Sequence, residues 1–227
     1  MNTSQKTRRL TVSALMLATA TVLAMICEAI PFLHLPFGGG FTIASMLPIV
    51  LIAYMYGTKW GLLCSATYSA IQILMAVVFG SASLLRGYFI PTDENFMGFG
   101  VAIGIVVLDY IVAYTVLGLG GIFRNKLPKL PAIILGVVLA LSLRYLTHII
   151  SGYFFFGEWA AETLKGWGED GFAVGPWVLD HFTGQMVAVV YSIIYNGLYM
   201  IPEIIITAIC GSGVAFIPHI KKYDVKS

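Results

Sequence analysis

Charge is scarce in this chain: 11% of its 227 residues are Asp, Glu, Lys or Arg, less than half of the roughly 25% usual in a soluble domain. With 59% hydrophobic residues and a mean hydropathy of +0.88, a soluble globular protein is excluded. A membrane-spanning helix takes about 20 apolar residues, so the chain has room for about six or seven spans and no soluble domain of any size. Thirteen Lys and Arg stand against eleven Asp and Glu, a net charge of +2 too small and too scattered for nucleic-acid binding. Cysteine is rare as well. Cys27, Cys64 and Cys210 all lie in apolar stretches, which argues against a disulfide framework and a clustered metal site. There is no G-x-x-x-x-G-K-[ST] phosphate loop, so the chain does not hydrolyse ATP by that route. The absence of H-E-x-x-H, G-x-S-x-G and Cys-His metal spacings points away from an enzyme, a metal or a cofactor, and towards transport or binding.

What is present is long apolar runs. They predict helices near 10–31, 42–57, 60–80, 98–121, 130–156 and 183–213, with external loops near 32–41, 81–97 and 157–182. The expected fold class is therefore an all-α integral membrane protein, a single membrane domain over 1–227 with six transmembrane helices. The first run follows Lys6, Arg8 and Arg9 as a signal peptide would, but at about 22 residues it is longer than the apolar core of such a peptide. Alternation from a cytoplasmic N-terminus puts Lys6, Arg8, Arg9, Lys59, Arg124, Lys126, Lys129, Lys221, Lys222 and Lys226 inside and leaves Arg86 and Lys165 outside. That asymmetry places both termini in the cytoplasm. Asp93, Glu94, Glu158, Glu162, Glu169, Asp170 and Asp180 then make the outer face acidic. Two external segments look structured, 36–41 and 157–181, and the second carries Trp159, Trp167 and Trp177, either interface anchors or part of a lid.

Polar side chains at membrane depth need a partner or a task. Five stand out: Glu28, Asp109, Arg144, His148 and Asn196. Arg144, His148 and Gly152 share one helical stripe, with an opening expected near its external end. Asp109 and Arg144 either pair as a structural bridge or serve a ligand. The last helix adds Tyr191, Tyr195, Asn196 and Tyr199, then Pro202 and Glu203. An acid, a histidine, an amide and several rings make a pocket for a small, flat, cationic and hydrogen-bonding organic molecule. The residues alone carry the reading no further than that ligand class. In the first helix, Ala14, Ala18 and Val22 form a stripe of small side chains that lets another helix approach.

Four blocks carry a resemblance. They are Phe41-Thr42-Ile43-Ala44-Ser45-Met46-Leu47-Pro48; Leu108-Asp109-Tyr110 leading into Leu117-Gly118-Leu119-Gly120-Gly121; Arg144-Tyr145-Leu146-Thr147-His148-Ile149-Ile150-Ser151-Gly152; and Tyr191-Ser192-Ile193-Ile194-Tyr195-Asn196-Gly197 with Pro202-Glu203. In this order they resemble the thiamine-specific substrate-binding subunits (S components) of energy-coupling factor (ECF) vitamin transporters. The first ten residues and 158–180 match poorly. The resemblance implies a cell-membrane protein that captures thiamine from outside and passes it to one transmembrane coupling subunit and two ATPase subunits. It implies that Asp109 neutralises the thiazolium, that Tyr110, His148, Gly152, Tyr191 and Asn196 line the ligand, and that Ala14 and Ala18 dock the partner. Phe156, Trp159 and Tyr68 complete the candidate ring. Phe156 stands where some relatives have Trp, with Trp159 three residues on, and Asp109 is shorter than the Glu of others. Gly38 to Gly40 is expected to close over the ligand. Two alternatives remain: an S component for another small vitamin, and a stand-alone proton-coupled transporter using Asp109, Arg144 and His148.

Overall fold

The computed structural model describes residues 3–35, 40–78, 83–93 and 95–223. Its helices are α1 (Thr3–Glu28), α2 (Leu47–Tyr56), α3 (Thr58–Val78), α4 (Ser83–Gly87), α5 (Phe99–Ile105), α6 (Ala113–Thr115), α7 (Lys129–Phe156), α8 (Ala160–Glu169), α9 (Val174–His181) and α10 (Gln185–Val214). A π-helical segment, Val106–Val112, joins α5 to α6, and 3₁₀ turns extend α6 through Val116–Gly121 and link α7 to α8. Among the described residues no strand forms; an isolated bridge pairs His34 with Gly40.

Five helical runs are long and apolar enough to cross a bilayer: Thr3–Glu28, Thr58–Val78, Phe99–Gly121, Lys129–Glu169 and Gln185–Val214. Of the six expected spans, the second is not among these runs. The run near 42–57 condenses into α2, ten residues and thus about 15 Å long. Pro48 fits its first turn, where no intrahelical N–H is needed, and Gly57, at φ 95°, ends it. Residues Thr42–Met46 are apolar enough to extend the hydropathy signal but do not join the helix, and Ala44 among them is left-handed at φ 56°. All ten residues of α2 are buried.

Helix contacts rest on small residues. A Cβ at Gly118 would collide with the backbone of Gly61 and Leu62, and one at Gly136 with the Gly120 carbonyl. These glycines let α3, the 3₁₀ turn and α7 pack backbone to backbone. The segment near 157–182, expected as a loop, is a pair of helices, α8 and α9. Ala160, Leu164, Trp167 and Val178 pack there against Val187 and Tyr191 of α10.

One end of the bundle gathers the basic residues. Arg124 donates from Nε to the Tyr54 carbonyl (2.9 Å) and from Nη2 to those of Met55 (3.1 Å) and Tyr223 (3.0 Å), closing the C-terminal end of α2. The Tyr223 ring stacks on Tyr56 at 5.3 Å and its hydroxyl accepts from Arg8 (2.7 Å). Arg9 lies over the Trp60 ring at 3.9 Å and Lys129 donates to Ile217 O (2.7 Å). The N-terminal helix, the α2–α3 turn, the segment before α7 and the C-terminal residues therefore meet at the same end.

Candidate functional site

Asp109 projects from the π-helical segment, whose wider turn departs from α-helical register; such bulges recur at functional positions. Its Oδ1 lies 2.8 Å from His148 Nδ1, and its Oδ2 accepts from Ser151 Oγ at 2.6 Å. On the other side of the ring, Arg144 Nε donates to His148 Nε2 at 3.1 Å. Arg144 has only donors, so Nε2 is the bare nitrogen and the proton sits on Nδ1, where a carboxylate receives it. Asp109 and Arg144 form no direct bridge; the neutral imidazole joins them. Arg144 also places its guanidinium over the Tyr114 ring at 4.1 Å and Nη1 against Met46 Sδ.

Asn196 closes the arrangement from α10. Its Nδ2 donates to the carbonyls of Ser192 (2.8 Å) and His148 (3.2 Å), and its Oδ1 accepts from the Tyr199 hydroxyl. The Tyr199 ring stands edge-on to His148 at 6.0 Å. Gly152 lies where α7 and α10 press together: a Cβ there would collide with Ser192 Oγ. The opening expected beside Gly152 is thus filled by Ser192, which donates to Ile149 O at 2.8 Å.

Two cavities flank this network. The larger, about 540 Å³, is lined by Glu28, Gln72, Tyr110, Arg144, Tyr199 and Glu203 among others. It holds two carboxyl groups and one guanidinium. The smaller, about 300 Å³, is lined by Tyr88, Asn95, Phe156, Trp159, Thr163 and Tyr191 together with Phe96 and Met97. Along α7 and α10 the order is the same: Arg144 and Glu203 face the larger cavity, Phe156 and Tyr191 the smaller, and His148, Gly152 and Asn196 lie between them. Asp109 itself lines neither cavity; burial, helped by its charge, pushes the Tyr88 phenol of the smaller one above its ordinary range. Rings continue the lining, with Phe156 6.4 Å from both Tyr88 and Trp159, and Tyr191 5.6 Å from Tyr195.

The structure therefore brings Asp109, His148, Gly152 and Asn196 together, puts Tyr110 on the larger cavity and Phe156, Trp159 and Tyr191 on the smaller. Tyr68 lines neither; it is fully buried behind Tyr114, ring centroids 5.5 Å apart. Ala14 and Ala18 lie exposed on α1. Of the glycine loop, Gly40 lines the larger cavity, while Gly38 and Gly39 lie outside the described residues. Trp167 is buried and stacks on Tyr195. Sequence reasoning missed Ser151, Tyr88 and the contact of Glu203 with Thr42. Ser151 alone carried a signal, three residues after His148 on the same helical face.

Residues 10–102 and 97–168 match the family described as Thiamine transporter protein (Thia_YuaJ). The thiamine transporter ThiT of Bacillus subtilis (strain 168) is 29% identical over 219 residues, covering 92% of this chain and 91% of that protein. A solved structure of ThiT from Listeria monocytogenes superposes with a TM-score of 0.56 at 16% identity, covering 92% of this chain and 98% of that one, which shows a shared fold. These relatives are named as transporters, pointing to transport rather than catalysis. With its five apolar runs of spanning length, this chain is a multi-pass membrane protein that belongs to the thiamine transporter protein family.

Proposed function

We propose that this chain binds thiamine as the substrate-capturing subunit of an ATP-driven vitamin importer of the energy-coupling factor type. The observation that carries the reading is one carboxylate, Asp109, standing between a ring-lined and a polar cavity in a chain of this family. Thiamine joins a permanently cationic thiazolium to a hydrogen-bonding aminopyrimidine through one methylene. A partly buried carboxylate favours the cation, aromatic faces favour both rings, and Gln72 and Tyr110 on the larger cavity offer directed donors and acceptors. A carboxylate between two cavities, with Glu28 and Glu203 lining the larger, suits a two-ring monocation. In this reading Asp109 is the counterion, and Tyr110, His148, Tyr191, Asn196, Phe156 and Trp159 surround the ligand.

The basic end faces the cytoplasm, and both termini with it. The return crossing between α1 and α3 is made by the non-helical residues 40–46 together with α2. Irregular backbone is tolerated at membrane depth where protein surrounds it, and Ala44, Ser45 and Met46 of this segment are buried in the bundle. Ala14 and Ala18, exposed on α1, form the docking stripe for the transmembrane coupling subunit, which carries two ATPase subunits.

The proton-coupled alternative is weakened by the order of the relay. Arg144 donates into His148, and arginine does not release its proton in a protein, so no path for protons continues past the ring in that direction. Calorimetric titration of the detergent-purified chain with thiamine tests the reading. Saturable one-to-one binding without a partner protein is the expected result; no binding by a demonstrably folded sample overturns it. Competition with riboflavin or biotin separates thiamine from another vitamin.

A further inference from the structure

Glu203 makes no hydrogen bond to the arrangement around Asp109, yet it is among the most deeply buried side chains, 1% exposed, and it lines the larger cavity beside Arg144. It is an acceptor throughout. Its carboxylate takes the backbone N–H of Thr42 and the Thr42 hydroxyl, the latter at 2.8 and 2.9 Å, and the Thr207 hydroxyl at 3.3 Å. Thr42 belongs to a strap, Gly40–Met46, that crosses from the end of α1 to the start of α2. Gly40, Thr42, Ser45 and Met46 of this strap form one wall of the cavity.

The strap is held at separate points by separate elements. Phe41 N–H donates to Leu33 O at 3.1 Å, and Ile43 N–H to the Cys27 sulfur of α1 at 3.2 Å. Met46 meets Arg144 of α7, and Thr42 meets Glu203 of α10. Of these fastenings, Glu203 is the one made by a charged acceptor on two donors, and charge-assisted bonds are about twice as strong as neutral ones. The strap also contains the one non-glycine residue with positive φ among the described residues, Ala44 at 56°. A strained residue persists where its surroundings over-determine it. Strain at Ala44 and a buried carboxylate two residues before it are independent signs of a segment kept under constraint.

We infer that Glu203 is a positioning residue: by fastening Thr42 it keeps the Gly40–Met46 strap across the larger cavity, and this fastening sets how long bound thiamine stays. The inference rests on the thiamine reading and deepens it. Glu203 acts through the strap and not as the counterion of the ligand, so it governs release more than capture.

Stopped-flow tryptophan fluorescence on the full chain in detergent, with thiamine as probe, separates the two rates. Glu203→Gln keeps the shape but turns one acceptor into a donor facing Thr42. The expected result is thiamine dissociation about tenfold faster, with association changed less than about twofold. Deuterium exchange at the amides of 42–46 should quicken at the same time. Thr42→Val, which leaves the carboxylate in place, should move the same rates in the same direction, and the double variant should do little more than either single one. Unchanged dissociation in both variants, or equal slowing of association, overturns the inference. Should Glu203→Gln fail to fold, Thr42→Val carries the test. Absence of thiamine binding by the unaltered chain instead sinks the ligand reading, and ligand-free exchange at 42–46 still decides whether Glu203 fastens the strap.

Discussion

Asp109 and Arg144, an acid and a base at membrane depth, are linked only through His148, which accepts from Arg144 on one nitrogen and faces Asp109 with the other. The imidazole lets two opposite charges share one interior network without touching.

His148→Ala should therefore take one hydrogen-bond partner from each charge, leaving Asp109 with Ser151 and Arg144 with the Tyr114 ring. A hydrogen bond to a charged group is worth about 1.5–3 kcal/mol, and this variant removes two. The expected outcome is a large fall in the thermal unfolding midpoint in detergent. His148→Gln, which offers both a donor and an acceptor, should recover part of the loss.

Asp109→Asn leaves an amide that can still accept from Ser151 or His148, so the fold should survive. Loss of the counterion should weaken thiamine by about 2–5 kcal/mol, roughly 30-fold or more, in a calorimetric titration. A neutral thiazole analogue should bind the unaltered chain and the variant nearly alike. Equal weakening of the analogue would assign Asp109 a structural part only.

Gly152→Ala should destabilise by about 1–3 kcal/mol, because the new methyl meets Ser192 Oγ. Adding Ser192→Ala should relieve part of the cost. A double-mutant cycle on unfolding midpoints reads the coupling, and strict additivity would show that the two helices are not in contact there.

Ala14→Leu with Ala18→Leu should leave thiamine binding by the isolated chain unchanged, since both side chains are exposed on α1. In vesicles containing the coupling subunit and ATPases, the same pair should abolish ATP-driven uptake. Normal uptake would move the docking surface elsewhere.

Hydropathy made the long helices legible because each is a continuous apolar run. It misjudged 42–57 because Ile43, Ala44 and Met46 count as apolar whether or not they are helical, and nothing in their composition announces a left-handed Ala44. At the candidate site, Arg144 and His148 were legible as neighbours through their spacing of four. That His148 would separate Arg144 from Asp109 was not, since Asp109 comes from another helix and its aim depends on the π-helical turn. Gly152 was read as leaving space; a missing side chain shows equally well where another element intrudes, and here Ser192 does. Tyr88 gave no signal because it lies beyond α4 in a short connection with no periodicity.

The complete burial of α2 bears on how the protein is made. A segment of about 15 Å with no lipid-facing side is too short to be released sideways into a bilayer about 30 Å thick as a solitary helix. Its ten residues find their surroundings in α1, α3, α7 and the turn after α6, all but the first synthesised later. During biogenesis the enclosure of α2 is therefore complete only once residues beyond 129 have emerged.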